Sequence, residues 1–168
     1  NRDTQLLASY ADQPHYLVQG CARITGRSYR FNLYRHDGRS YAKIQPEDAT
    51  PDLPVLFKPL GTPQPEPSYI ASDADYVDYI TELMGGFGVP AFVKKMRRDK
   101  RYLFIGLRLD RDTERMIMSD LIHAAAPAAG WAFLPEPAPK ERKFLARHGL
   151  ALIEEDFRSL LAEPATSV

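Results

Sequence analysis

The stretch at 101–110 joins a short apolar run to a turn and to the start of a helix, an arrangement that often holds ligands. Its apolar part, Tyr-Leu-Phe-Ile at 102–105, shows no alternation, which is typical of a strand buried on both faces of a parallel sheet. Gly106 then lets the backbone turn or approach another group closely. Because ligands of open α/β sheets bind outside the carboxyl ends of strands, this turn is a candidate ligand-facing edge. The competing interpretation is that the unit only holds a sheet together.

The other reactive side chains predict no second site. Two common phosphate-binding patterns, the Gly-rich dinucleotide loop and the P-loop, do not occur in the sequence. The single Cys21 excludes an internal disulfide framework and fits a reducing compartment. The histidines have no ligand spacing, so we expect no zinc site, and we expect the last two of them to be structural or surface groups. They are His15, His36, His123 and His148.

Charge and hydropathy exclude several classes of partner. Lys plus Arg and Asp plus Glu both number 22, so no overall field attracts the chain to nucleic acid or to a membrane surface. A basic run at 94–101 lacks interleaved aromatic residues, which favours a solvated helix end over a nucleic-acid interface. No apolar run reaches the ~18–20 residues that a membrane span needs. With no signal peptide visible, we expect a cytoplasmic protein.

Strand and helix patterns alternate from 54 to 162, which predicts an α/β fold with a mainly parallel sheet in a three-layer arrangement. Alternation around Asp37-Gly38 predicts an antiparallel hairpin at 29–44. Ser72 and Asp75 resemble a capping box that opens a helix. The length suits one domain over 1–162, followed by a tail at 163–168. The remaining strands are predicted at 15–19, 54–59, 102–107, 131–134 and 150–153.

Five segments, in this order, resemble motifs of the sirtuin-like superfamily, and in particular of its divergent prokaryotic branch. They cover most of the chain and leave 13–53 as an insertion. The chain resembles the C-terminal two thirds of such a domain, so we expect the loop that holds the pyrophosphate in that family to lie upstream of Asn1. The segments are Asn1-Arg-Asp3 (the end of a Thr-Thr/Gln-Asn-x-Asp motif), 55–61 (Lys-Leu-His-Gly), 72–80 (acidic residue, Tyr, x, x, Tyr), 103–110 (Leu-Phe-x-Gly-Tyr/Thr-Ser-Leu) and 132–153 (the last two strands).

The resemblance implies a Rossmann-like three-layer α/β/α fold that binds NAD or an ADP-ribose derivative. Catalytic members cleave the nicotinamide–ribose bond, with an Asn and an Asp of the first motif organising the nicotinamide side of the pocket and a His of the second motif acting as base. In this chain the first two roles fall to Asn1 and Asp3. The cofactor-facing positions implied by the second and fourth motifs are Gly61, Gly106, Arg108 and Leu109.

Two departures from the family pattern decide the expected function. Leu60 stands where the family has its catalytic His, and leucine accepts no proton. Arg108 replaces the family's Ser; it contacts a phosphate, fills the cofactor's space, or is an ordinary residue at the sheet edge. We therefore expect a nucleotide-binding domain with a degenerate catalytic site, either a weak or inactive NAD-consuming enzyme or a sensing module.

Two alternatives stay open. One is an active NAD hydrolase or protein deacylase with a relocated base, for which His15 is the only histidine near the first motif. The other is a protein-interaction domain that reuses the fold without a ligand, its pocket filled by Arg108, Leu60 and the insertion. Besides the nucleotide ligand, a homo-oligomer or a partner protein remains open.

Overall fold

The computed structural model divides the chain into two compact units, Asn1–Met96 and Arg97–Val168. It describes residues 4–21, 29–50, 52–84, 89–123 and 129–161. The architecture is mixed α/β with several sheets, one of them parallel, which confirms the predicted class. The single domain over 1–162 stays a prediction. Within these described ranges no helix has the length and apolar character needed to cross a membrane.

The first unit is built on a four-stranded sheet in the order β3-β2-β1-β4. β1 runs antiparallel to β2 and parallel to β4, so the segment predicted as an insertion supplies three of the four strands. The predicted hairpin is confirmed, and the Asp37 carboxylate fixes its turn by accepting the N–H groups of Arg39 and Ser40, both at 2.8 Å. The strands are β1 His15–Gly20, β2 Phe31–His36, β3 Tyr41–Lys43 and β4 Val55–Lys58.

Both faces of this sheet are covered, and every residue of β1 is buried. On one face, helix α1 (Gln5–Ser9) contributes Leu7, which packs with Leu17 of β1. On the other face, helix α3 (Ala91–Met96) places Phe92 against Val18 and its neighbours. The strand therefore has a hydrophobic layer on each side, and this removes its apolar surface from water.

Two shorter features complete the first unit. The proline-rich segment after β4 contains a small antiparallel pair, β5 (Gly61–Thr62) with β6 (Ser68–Tyr69). Helix α2 (Asp73–Met84) opens with the predicted capping box: the Ser72 hydroxyl accepts the Asp75 N–H at 3.1 Å, and the Asp75 carboxylate accepts the Ser72 N–H at 3.0 Å. On α2, Val77 is exposed and Tyr79 is fully buried.

The second unit contains a three-stranded parallel sheet in the order β7-β8-β9. Its strands follow one another in the sequence, and successive right-handed crossovers place the connecting helices on the same face. The strands and helices are β7 (Tyr102–Phe104), α4 (Asp112–Leu121), β8 (Gly130–Phe133), α5 (Pro139–Arg147) and β9 (Leu150–Ile153). Residues of both helices and all three strands share one core, which includes Met118, Leu145, Phe104, Ala132 and Leu150.

The prediction that the strand at 102–105 is buried on both faces was wrong. Leu103 is 54% exposed, and Ile105 is 47% exposed. Their neighbour on the central strand, Trp131, is 42% exposed. The reason is topological, because the helices α4 and α5 pack on the opposite face of this sheet.

Candidate functional site

The carboxyl edge of the parallel sheet in the second unit is held together by a buried carboxylate. Glu141 is 2% exposed and accepts the Leu109 N–H and the Ala138 N–H, both at 2.8 Å. Because Ala138 has no side-chain acceptor, only the glutamate half of a capping box forms at the start of α5. Glu141 thereby fixes the loop that follows β7 to the beginning of α5. Sequence reasoning missed it, although a Glu two residues after Pro139 is a capping signal.

Arg108 lies at the same edge and extends toward the loop that follows β8. Its Nη1 donates to the Pro135 carbonyl at 3.1 Å and lies 4.0 Å from Glu141 Oε2. A guanidinium has five N–H donors, and 54% of this side chain is exposed. One hydrogen bond therefore fixes the Arg108 side chain, and its exposed N–H groups are suited to bind an anion at the sheet edge.

The two predicted glycines meet different surroundings, although both have positive φ. Gly106 has φ 62°, and a Cβ built there has no heavy atom within 4 Å, so its backbone is open to an approaching group. Gly61 has φ 86°, and its Cβ would lie 1.9 Å from the Ser68 carbonyl oxygen. The pairing of β5 with β6 therefore requires glycine at position 61. Glu136, which follows β8, also adopts a left-handed angle, φ 51°.

Of the remaining predicted site residues, the structure describes only Leu109, which is not at an open surface. Leu109 is buried in the core; its N–H binds Glu141, and its carbonyl accepts the Arg115 guanidinium. Its cofactor role stays a prediction. Asn1 and Asp3 lie outside the described residues, so their roles are predictions as well. Gly61 belongs to the first unit, and Gly106, Arg108 and Leu109 belong to the second.

A buried polar group lies at the carboxyl end of the parallel pair β1–β4. The Gln19 side-chain amide is fully buried and donates to the carbonyls of Thr62 and Glu66 at 2.9 and 2.7 Å. Its oxygen accepts the Asn32 amide at 3.4 Å. The Thr62 hydroxyl is fully buried, and within the described residues it has no hydrogen-bond partner. Such an unsatisfied group is a place where a water or a ligand atom can bind.

Leu60 precedes this polar group and offers no proton acceptor in its side chain. It is half-buried, and its carbonyl accepts the Ile70 N–H at 3.2 Å. The backbone of this segment is therefore engaged, and its assignment to the position of the family's base stays a prediction from the resemblance.

His15, the only histidine proposed as a relocated base, is fully buried with both ring nitrogens engaged. Nδ1 donates to the Gln13 carbonyl at 2.7 Å, and Nε2 lies 2.9 Å from the Tyr41 hydroxyl. Its ring stacks on His36 with centroids 4.7 Å apart. Burial lowers the pKa of His15, and the charge of His36 lowers it further. The two histidines meet because β1 and β2 pair His15 with His36, a register that sequence reasoning did not derive.

The described parts of the chain contain no group of three or more His, Cys, Asp and Glu side chains placed to hold a metal ion. In the second unit the donors at the sheet edge are instead the Arg108 guanidinium and the open backbone of Gly106. A guanidinium suits the diphosphate group of a nucleotide, and neither group is a general base.

Comparison with known proteins gives one match. The model of the SIR2-like domain family matches residues 16–153. This match starts after Asn1 and Asp3 and includes most of the segment predicted as an insertion. Searches of curated proteins and of solved structures found no match.

Proposed function

Because the chain belongs to the family of SIR2-like domains, we propose that it binds NAD or an ADP-ribose derivative and does not turn NAD over. We place binding at the carboxyl edge of the parallel sheet in the second unit, as is general for open α/β sheets. A Rossmann-like three-layer fold is part of this proposal. NAD would supply the nicotinamide–ribose bond that catalytic relatives cleave, and the chain's own residues would hold the nucleotide.

The observation that carries the binding proposal is the position of Arg108. Its exposed guanidinium is oriented by the Pro135 carbonyl, and the open backbone of Gly106 lies two residues before it in the sequence. Because the hydrogen bond to Pro135 already restricts the Arg108 side chain, binding a phosphate costs less side-chain entropy.

The absence of turnover is proposed from the missing proton acceptor. The resemblance places Leu60 at the position of the family's catalytic His, and loss of a general base lowers the rate by ~10²–10⁴-fold. His15 does not replace it in this proposal, because both of its ring nitrogens are engaged inside the first unit. The domain would then act as a sensor or regulatory module.

Thermal unfolding in the presence of nucleotides, combined with an assay for free nicotinamide, tests both parts. The full chain is heated with NAD, with ADP-ribose and, as a control, with inorganic phosphate. A ligand at a hundredfold excess over its Kd stabilises the folded state by about 2.7 kcal/mol. We expect a shift with NAD or ADP-ribose, a smaller one with phosphate, and no nicotinamide above background.

The outcomes separate the alternatives. A stability unchanged by every nucleotide would remove the binding proposal. Accumulation of nicotinamide would show an active enzyme with a relocated base, and Asn1→Ala should then abolish the activity because the resemblance assigns Asn1 to the nicotinamide pocket. Shifts of equal size with phosphate and ADP-ribose would reduce the proposal to a nonspecific anion site.

A further inference from the structure

The parallel sheet of the second unit leaves apolar side chains of one face in contact with water. Leu103, Trp131 and Ala151 are direct neighbours across β7, β8 and β9, and all three are exposed. Ile105, the residue after β7, is also exposed. Phe133, two residues beyond Trp131 on the same side of β8, is buried, so the face is open only around Leu103 and Trp131. We call the four exposed residues, Leu103, Ile105, Trp131 and Ala151, the exposed sheet face.

The sequence of β7 predicts a strand that is covered on both faces, and the exposure of Leu103 differs from this prediction. Tyr-Leu-Phe-Ile at 102–105 has no polar position, as in strands that are covered on both faces. The helices α4 and α5 cover one face, and on the other face Phe133 is buried while Leu103 and Trp131 are not. A soluble chain rarely leaves large apolar neighbours exposed unless they bind something, so the composition of β7 points to a missing second cover.

The size of the exposed sheet face fits one helix. Three strands about 4.8 Å apart span roughly 10 Å, and a helix with its side chains is about 10–12 Å across. Ala151 is much smaller than Trp131 beside it. The surface of the sheet is therefore lower over β9 than over β8, and side chains of a helix can pack into this depression beside the indole ring. Helices are also the usual cover of parallel sheets.

The positive charge next to the exposed sheet face favours a partner with acidic residues. The Arg101 guanidinium lies over the Trp131 ring, 5.9 Å from its centroid, and Arg98 and Lys100 are exposed just before it in the chain. A partner that covers Trp131 must lie next to Arg101, so carboxylates at its border are favoured. A second copy of this chain would bring the same cations toward each other, which is unfavourable.

We infer that the exposed sheet face is the docking site of an amphipathic α-helix with acidic borders, supplied by another polypeptide. The apolar side of that helix covers Leu103, Trp131 and Ala151, and its carboxylates pair with Arg101 and the basic residues before it. This inference goes beyond the nucleotide proposal and does not depend on it.

The chain contains a single tryptophan, so its fluorescence reports Trp131 alone. The probe is a synthetic helix of about three heptads with leucine on one side and glutamate on both borders; a matched peptide carries lysine in place of glutamate. Both are free of tryptophan and are used where sedimentation shows them to be monomeric. We expect the acidic peptide to shift the Trp131 emission to the blue saturably and to bind at least ~10-fold more tightly than the basic one.

Variants locate the binding surface. Leu103→Gln should weaken binding of the acidic peptide by about 10-fold or more, as expected for a central contact. Met116→Gln is the matched control, because Met116 is an apolar residue of similar exposure, 46%, located on α4. Arg101→Glu should reverse the preference between the two peptides. Circular dichroism checks that each variant folds, which is expected because exposed substitutions usually change stability by under ~0.5 kcal/mol.

Several results would overturn the inference. Equal binding of both peptides, or binding of neither, removes the acidic helix as the occupant. A blue-shifted and quencher-protected Trp131 in the free protein shows that the face is already covered. A shift that tracks dimer formation assigns the face to a second copy. A shift produced only by phosphatidylcholine–phosphatidylglycerol vesicles assigns it to a membrane.

Discussion

The two larger sheets of the molecule use apolar strands in opposite surroundings. In the first unit, β1 is buried along its whole length, and even His15 and Gln19 are inside with hydrogen-bond partners. In the second unit, β7 has no polar residue between 102 and 104, yet Leu103 is exposed. Polar residues are therefore inside the first sheet, while an apolar residue faces water on the second.

The difference shows what an apolar run in a sequence specifies. It specifies that a strand requires cover, and it does not specify which element provides the cover. In the first unit α1 and α3 supply both layers, whereas in the second unit the two crossover helices lie on one face. The comparison can be tested at single residues.

The largest expected effect comes from matched leucine truncations in the two sheets. Leu17→Ala in β1 removes a side chain that is fully buried and should lower the free energy of unfolding by about 2–5 kcal/mol. Leu103→Ala in β7 removes an exposed side chain and should cost under ~0.5 kcal/mol. Urea unfolding followed by circular dichroism measures both. A cost at Leu103 comparable with that at Leu17 would mean that the two sheets are covered alike.

A second comparison uses the two glycines. Gly61→Ala and Gly106→Ala both place a Cβ on a backbone with positive φ, a strain of roughly 1 kcal/mol that they share. Only Gly61→Ala adds a clash, because its Cβ would meet the Ser68 backbone oxygen at 1.9 Å. We expect Gly61→Ala to be clearly the more destabilising in thermal unfolding. Equal costs would indicate that β5 and β6 are not paired as described.

The smallest effect concerns pH and the buried histidine of the first sheet. The folded-state pKa of His15 is lowered by burial, so below about pH 6.5 the unfolded chain binds more protons than the folded one. The stability contributed by neutral His15 is therefore complete above about pH 6.5 and is lost as the pH falls through the folded pKa.

Unfolding free energies measured between about pH 5 and pH 7.5 should rise with pH, by at most ~1.4 kcal/mol per unit for each proton. His15→Gln should flatten this slope. The matched variant is His148→Gln in the second unit, because burial also lowers the pKa of His148. We expect it to reduce the pH dependence of the unfolding free energy independently of His15→Gln. A pH dependence unchanged in His15→Gln would show that His15 remains accessible to protons in the folded state.

Local signals in the sequence predicted local structure well. Asp37-Gly38 and the pair Ser72 and Asp75 predicted a turn and a helix start that the structure contains. Side-chain surroundings that depend on several segments were not predicted. The exposure of Leu103 follows from the handedness of two crossovers, and the pairing of His15 with His36 follows from a register between distant strands. Glu141 had a capping signal, but its bond to Leu109 joins positions 32 residues apart.

The candidate site was predictable only in part for the same reason. Gly106 was found because it follows a recognisable strand, and Arg108 because the resemblance places it at the position of the family's Ser. Gln19 and the unsatisfied Thr62 were missed. The sequence around a polar residue in a strand does not show whether its hydrogen-bond partner will be another part of the fold or a ligand. The role of Leu60 came from the resemblance alone.

Isothermal titration with ADP-ribose tests the central claim most directly. We expect saturable binding to the full chain, and Arg108→Ala should weaken it by about 10-fold or more, because a charge-assisted hydrogen bond contributes roughly 1.5–3 kcal/mol. Arg98→Ala, which removes an exposed arginine of the basic run, should bind like the unaltered chain. Binding that is insensitive to Arg108→Ala, or no binding at all, would contradict a nucleotide site at this edge.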